Sequence, residues 1–211
     1  MRWISLGVLL AAAGLLLLFW GDVPQRWTVH WSLDGQPDGW ATRSVAAAVG
    51  PLIIGFFIWL AIEATASWIG RGGRATPAPP QMLAVQATLT RAVGLGVMVL
   101  IATLTLALPF VQPRSSAPML MAALIELGMT IAIAVAWASR RVRRLRESGV
   151  AIPEGYGGVI YKNARDARLW VPKMAGIGWT INFAHRWAWP VMIGIFALPF
   201  ALLMTVAVAG R

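Results

Sequence analysis

Four stretches of the chain carry no charged residue over lengths suited to crossing a bilayer: residues 3–20, 44–62, 92–110 and 187–210. A fifth, 118–138, carries a single acid, Glu126. At 1.5 Å rise per residue the shortest of these runs still covers about 27 Å, close to a hydrocarbon core. Inside lipid a backbone must satisfy its own hydrogen bonds, which restricts such runs to helices. Composition points the same way: 58% hydrophobic and 12% charged residues leave too little polar surface for a soluble domain of 211 residues. The expected fold is an all-α membrane protein with about five transmembrane helices, a short outer β-like motif and a small cytoplasmic β-containing module. A signal peptide is the rival reading of the first run. Its length, and the lack of a small-residue cleavage pattern after Trp20, favour an uncleaved span.

Charge sets the expected orientation. Ten of the eighteen Lys/Arg residues fall in 139–187, and cations beside membrane spans resist translocation. With five spans and the N-terminus inside, fourteen cations lie on the inner face and four on the outer. The chain then divides into 1–62 (two spans joined by an outer loop, 21–43), 63–91 (a Gly/Pro-rich cytoplasmic linker and the interfacial start of a helix), 92–138 (a helical hairpin), 139–186 (a basic cytoplasmic module) and 187–211 (the fifth span). The fourth helix is expected to run on through the arginines, with no breaker before Gly149. The net charge of +10 is assigned to the lipid bilayer, with anionic lipid at the cytoplasmic face, rather than to nucleic acid. The expected site is a multi-pass position in a bacterial cytoplasmic (inner) membrane. With no cysteine, thiolate metal sites and disulfides are excluded. No cofactor is expected.

In the outer loop, Trp27, Val29 and Trp31 alternate with polar residues, as in a short strand, and Asp34-Gly35 and Pro37-Asp38-Gly39 read as turns. The segment VPQRWTVHWSLDGQPDGW resembles the N-terminal motif of the SdpI-type family of bacterial membrane proteins, a DUF1648-like domain of unknown function. Val23, Pro24, Val29, His30, Trp31, Gly35, Pro37, Asp38 and Gly39 carry the likeness, while Ser32 stands where Asn is usual. The resemblance implies a role in toxin immunity or in signalling from the membrane, with an extracellular peptide or a cytoplasmic regulator as partner. The C-terminal half typical of immunity members has no counterpart here. Residues 161–183 resemble a second uncharacterised family through Tyr161, Asn163, Asp166, Arg168, Val171, Pro172, Lys173, Gly176, Gly178, Trp179, Thr180, Asn182 and Phe183. Ala164 and Ala167 replace its usual prolines.

The candidate binding residues follow from these segments: His30, Asp34 and Asp38 outside; Glu126 within a span; Tyr161, Asn163, Asp166, Arg168, Lys173, Trp179 and Asn182 inside. His30, Asp34 and Asp38 either gather around a cation or amine, or serve a strand and its turns. Glu126 either bonds a threonine of the third span (Thr105 or Thr103) or serves protons or a substrate, because a carboxyl in a span is costly unless used. Glu63 and Arg91, at inner helix ends, either reach water separately or pair. Gly7 with Ala11 and Ser44 with Ala48 are small pairs that let helices approach. The short runs 159–161, 169–171 and 179–181 are β-prone, with Trp170 and Trp179 as anchors on the inner membrane face. No Ser-His-Asp set, zinc helix or phosphate loop is present, so no enzyme is expected. The leading expectation is a non-enzymatic sensing, toxin-immunity or regulatory protein. The alternative is a small transporter or channel-like protein using Glu126.

Overall fold

A computed structural model describes residues 2–32, 36–72, 78–110, 116–157, 160–174, 178–195 and 197. The chain is mostly helical with two small antiparallel sheets, and it forms two compact units. One comprises Met1–Ala66 with Leu89–Ala134, the other Ser67–Thr88 with Val135–Arg211.

In the first unit α1 (Arg2–Leu18) buries Ser5, Leu9, Ala12 and Leu16, one stripe at helical spacing. A 3-10 turn (Trp20–Asp22) leads into β1 (Arg26–Trp31) and β2 (Pro37–Thr42), an antiparallel hairpin. Ser44 then caps α2 (Val45–Gly70): its hydroxyl accepts the Ala47 N–H at 3.1 Å. Arg43 points back and donates to the carbonyls of Trp20, Gly21 and Val23 around the 3-10 turn, Trp20 O also accepting the Val23 N–H. The core joins Leu9, Leu16, Val23, Trp27, Leu52 and Met98, so helices and hairpin share it.

Among the described residues two segments are long and apolar enough to cross a membrane: α2, and Pro80–Phe110, which is α3 (Pro80–Ala107) followed by a 3-10 turn at Leu108–Phe110. α1 is a shorter apolar helix of 17 residues. α2 does not stop at Ile62 as expected but runs eight residues further, to Gly70. Glu63 is no terminus because its charge is met: Arg91 Nε of α3 donates to Glu63 Oε2 at 3.0 Å. The close helix approaches also lie elsewhere than expected. Gly7 has open space beside it, whereas a Cβ at Gly94 would stand 2.7 Å from Ile62 and one at Gly96 would stand 2.6 Å from Thr130. These two glycines let α3 meet α2 on one side and α4 (Ser116–Glu147) on the other.

In the second unit α4 continues through the arginine cluster, as its sequence implies. Ala138, Val142 and Leu145 are buried while Arg140, Arg141, Arg143, Arg144 and Arg146 are exposed. The helix ends on Gly149 at φ +86°. Val150 N–H returns to Leu145 O and Gly149 N–H to Arg146 O. That double closure needs a left-handed residue, which glycine adopts without strain. Beyond it lie a short hairpin, β3 (Trp170–Pro172) with β4 (Trp179–Ile181), and the helix α5 at residues 188–195. Pro172 closes β3, where its missing N–H costs least. Of the run at 159–161, Val159 lies outside the described residues, and Tyr161 makes single bridges to Tyr156 and Asn182 rather than joining a named strand. The expected fifth span is described only as far as residue 197, apart from 196.

Candidate functional site

Asn182 is the centre of the second unit's polar interior. It follows β4 directly, and its side chain is wholly buried. Its amide uses its whole capacity. Nδ2 donates to the carbonyls of Asn163 and Asp166, both at 2.8 Å. Oδ1 accepts from the N–H groups of Asn163 at 3.0 Å and Ala184 at 3.1 Å. One side chain therefore ties the loop at 163–166 to the end of the hairpin. The backbone adds Phe183 N–H to Tyr161 O and Asn182 N–H to Leu169 O.

Asp166 sits above this tie. Its Oδ1 accepts from the backbone N–H and Nε of Arg168, and its Oδ2 from Arg168 Nη2 at 2.7 Å and the Tyr161 hydroxyl at 2.9 Å. The two-pronged guanidinium contact, then the Arg168 backbone N–H, hold the Asp166 pKa well below the usual carboxylate range. Burial, then its bond to Asp166, raises the Tyr161 phenol. The Asn163 side chain accepts from Arg165 N–H at 2.9 Å, fixing the loop's turn. The motif residues at 161, 163, 166, 168 and 182 thus converge into one network. Lys173 and Trp179 stand apart from it. The Lys173 N–H donates to Gly178 O across the hairpin turn, and the Trp179 side chain is exposed.

Three residues of this network were not singled out from sequence. Tyr156 packs edge-on against Tyr161 at 4.7 Å and donates its hydroxyl to Pro172 O, while Arg146 of α4 donates to Tyr156 O. Gly155 makes room: at φ +87° its hydrogen faces the Tyr161 ring, where a Cβ would stand 2.7 Å away. The run of Gly155, Gly157 and Gly158 reads as a flexible turn from sequence because nothing local shows that Tyr161, six residues after Gly155, will fill the space.

In the loop at 21–43, expected outside, Asp38 is not in a turn. Pro37, Asp38 and Gly39 belong to β2, and His30 pairs with Gly39. The Asp38 carboxylate lies 2.5 Å from His30 Nδ1, with both side chains largely exposed. Gly39 is required there for space, since a Cβ would stand 2.8 Å from the Cβ of His30. Register irregularities between Thr28 and Trp31 break the expected alternation, so Trp27 and Thr28 are both buried and Val29 is exposed. Asp34 lies outside the described residues. Among the described residues no three His, Cys, Asp or Glu side chains gather as metal ligands would.

Glu126 takes its partner from its own helix. Thr130 Oγ1 donates to Glu126 Oε1 at 3.1 Å, while Thr105 bonds the carbonyl of Ile101 instead. The reason is spacing: residues four apart share a helix face, and Thr105 finds an acceptor one turn back. Glu126 Oε2 is buried with no partner among the described residues.

Two family models match parts of the chain. The one described as a domain of unknown function, DUF1648, matches residues 7–55, which include most of α1, the β1–β2 hairpin and the start of α2. The one described as a family of unknown function, DUF5808, matches residues 165–189, from the Asp166–Arg168 pair through the β3–β4 hairpin to the start of α5. No curated protein and no solved structure matches the chain.

Proposed function

We propose that this chain is a multi-pass protein of the bacterial inner membrane, N-terminus inside, that acts as a non-enzymatic sensing, toxin-immunity or regulatory protein of the SdpI type. The observation that carries this reading is the network around Asn182. A connector between spans has no need of a buried amide with every bond met, because ordering such a loop costs about 1–2 kcal/mol per residue. A module that presents a fixed surface to a partner does need it. The likeness of residues 7–55 to DUF1648 supports the membrane half of the proposal, and the apolar helices agree. In this reading the exposed His30–Asp38 pair meets an extracellular peptide, and the basic inner module meets a cytoplasmic regulator.

Replacing residues 161–179 by a flexible linker tests it. Membrane insertion should persist, while signalling or protection against a secreted toxin should be lost. A fully active deletion protein would reduce the module to a connector. His30→Ala should weaken only the response to the outer peptide.

One observation favours a second reading, a small transporter using Glu126: its Oε2 is buried and without a partner among the described residues. Glu126→Gln keeps shape and hydrogen bonding but carries no charge. Loss of proton-coupled flux in liposomes with the fold intact would favour transport, and unchanged behaviour would favour a structural carboxyl.

A further inference from the structure

The β3–β4 hairpin has two unlike faces. Directly opposite residues of an antiparallel pair share a face, as do alternate residues along a strand. Trp170, Pro172 and Trp179 therefore stand together with Ile181, which is buried beside Trp170 at the strand end, while Val171 and Thr180 point the other way and Val171 is buried. Trp170 is 46% exposed and Trp179 62% exposed. Folding thus holds two large indoles out in solvent on a rigid two-stranded support, although each would contribute more if buried in the unit's core. Trp187, just before α5, and Trp189, within it, are also more than half exposed.

Charge says what covers this face. No acid follows Asp166 in the chain, and Asp166 itself is taken up by Arg168. The segment from Leu169 to Phe183 holds Lys173 and no Asp or Glu. Indole rings with an apolar body and one N–H donor, beside a lysine and without acids, match the headgroup layer of an anionic bilayer. There rings settle at the boundary and cations meet phosphate.

We propose that the β3–β4 hairpin seats the inner unit on the anionic lipid surface, with Trp170 and Trp179 in the headgroup layer and Lys173 on lipid phosphate. This deepens the proposed function and rests on its membrane reading. It also leaves the Arg165–Glu154 pair, both side chains largely exposed, for the regulator.

The chain has no cysteine, so one introduced thiol gives one label. A fluorophore at Pro172→Cys, in the full protein in nanodiscs, is expected to be quenched by lipid-borne nitroxide and shielded from aqueous iodide. A label at Glu154→Cys should show the reverse. Exchanging phosphatidylglycerol for phosphatidylcholine should release the first label. Lys173→Gln should shift its docked-to-free ratio about fivefold towards free. The double variant Trp170→Ala/Trp179→Ala, labelled at Pro172→Cys with Lys173 kept, should be iodide-accessible in either lipid. If the protein enters nanodiscs but the label at 172 stays open to iodide in anionic lipid, the seat is wrong and the face belongs to a protein partner. If the protein does not enter nanodiscs at all, the membrane reading falls and the seat with it.

Discussion

Asn182 sets the stability of the inner unit because it cannot be replaced piecemeal. Alanine at that position would strand the N–H groups of Asn163 and Ala184 and two carbonyls, at about 1–3 kcal/mol for each group that water cannot reach. With partial relief, Asn182→Ala should cost on the order of 3 kcal/mol locally, which raises the open population about a hundredfold. Tryptic cleavage after Arg165, Arg168 and Lys173 measures this directly, and cleavage elsewhere should be unchanged. Acid and base should act on the same network from opposite ends. The folded pKa of Asp166 lies below its unfolded value of about 3.9, so its contribution is complete above that value and fades as pH falls towards the folded one. The folded pKa of Tyr161 is raised above about 10, so its contribution is complete below 10 and fades as pH rises through the folded value. Near-UV circular dichroism of the protein should therefore be level from about pH 5 to 9 and change outside that window. The Asp166–Arg168 pair is legible in sequence because its members are two residues apart. Asn182 as the hub is not, since its partners are 16 and 19 residues away and no local pattern reports them.

Among the elements, the contact of α2 with α3 is where a single charge decides. The Glu63 and Arg91 side chains are 13% and 24% exposed, between a surface pair and a buried one. Arg91→Met alone leaves Glu63 unmatched and should cost about 1–3 kcal/mol. Glu63→Met/Arg91→Met removes both charges and should cost less than the single change, because neither is then left behind. Thermal unfolding in detergent compares the two. From sequence these residues read equally well as separate charges, since their pairing depends on how far α2 runs, and it runs to Gly70. The outer hairpin shows the opposite lesson. Its existence is legible from the alternation after Arg26, but Pro37-Asp38-Gly39 reads as a turn on local preference alone. Pairing with β1 overrides that preference and makes Gly39 a site of close strand contact. The arginine end of α4 is fully legible, because its apolar positions keep helical spacing and Gly149 follows them.

For the whole molecule, the distribution of cations makes the strongest statement. A cysteine at Ser32 should react with an impermeant thiol reagent added to intact cells, and one at Ser148 should react only after permeabilisation. The opposite pattern would reverse the sides assigned to both hairpins. The long apolar runs make the membrane class legible, but not how many of them cross: α1 is short and the last run is only partly described. The ties of the inner network have a consequence for how the protein is made. Those described here join residues between Arg146 and Asn182, or their immediate neighbours. Chain folded from such near contacts closes quickly, and domains mature in order of synthesis. The inner module can therefore be complete as soon as Ala184 leaves the ribosome, before the final apolar run at 187–210 reaches the membrane. If that run inserts as the proposed function has it, it emerges behind a finished, basic structure, and cations that resist translocation set its direction before insertion begins.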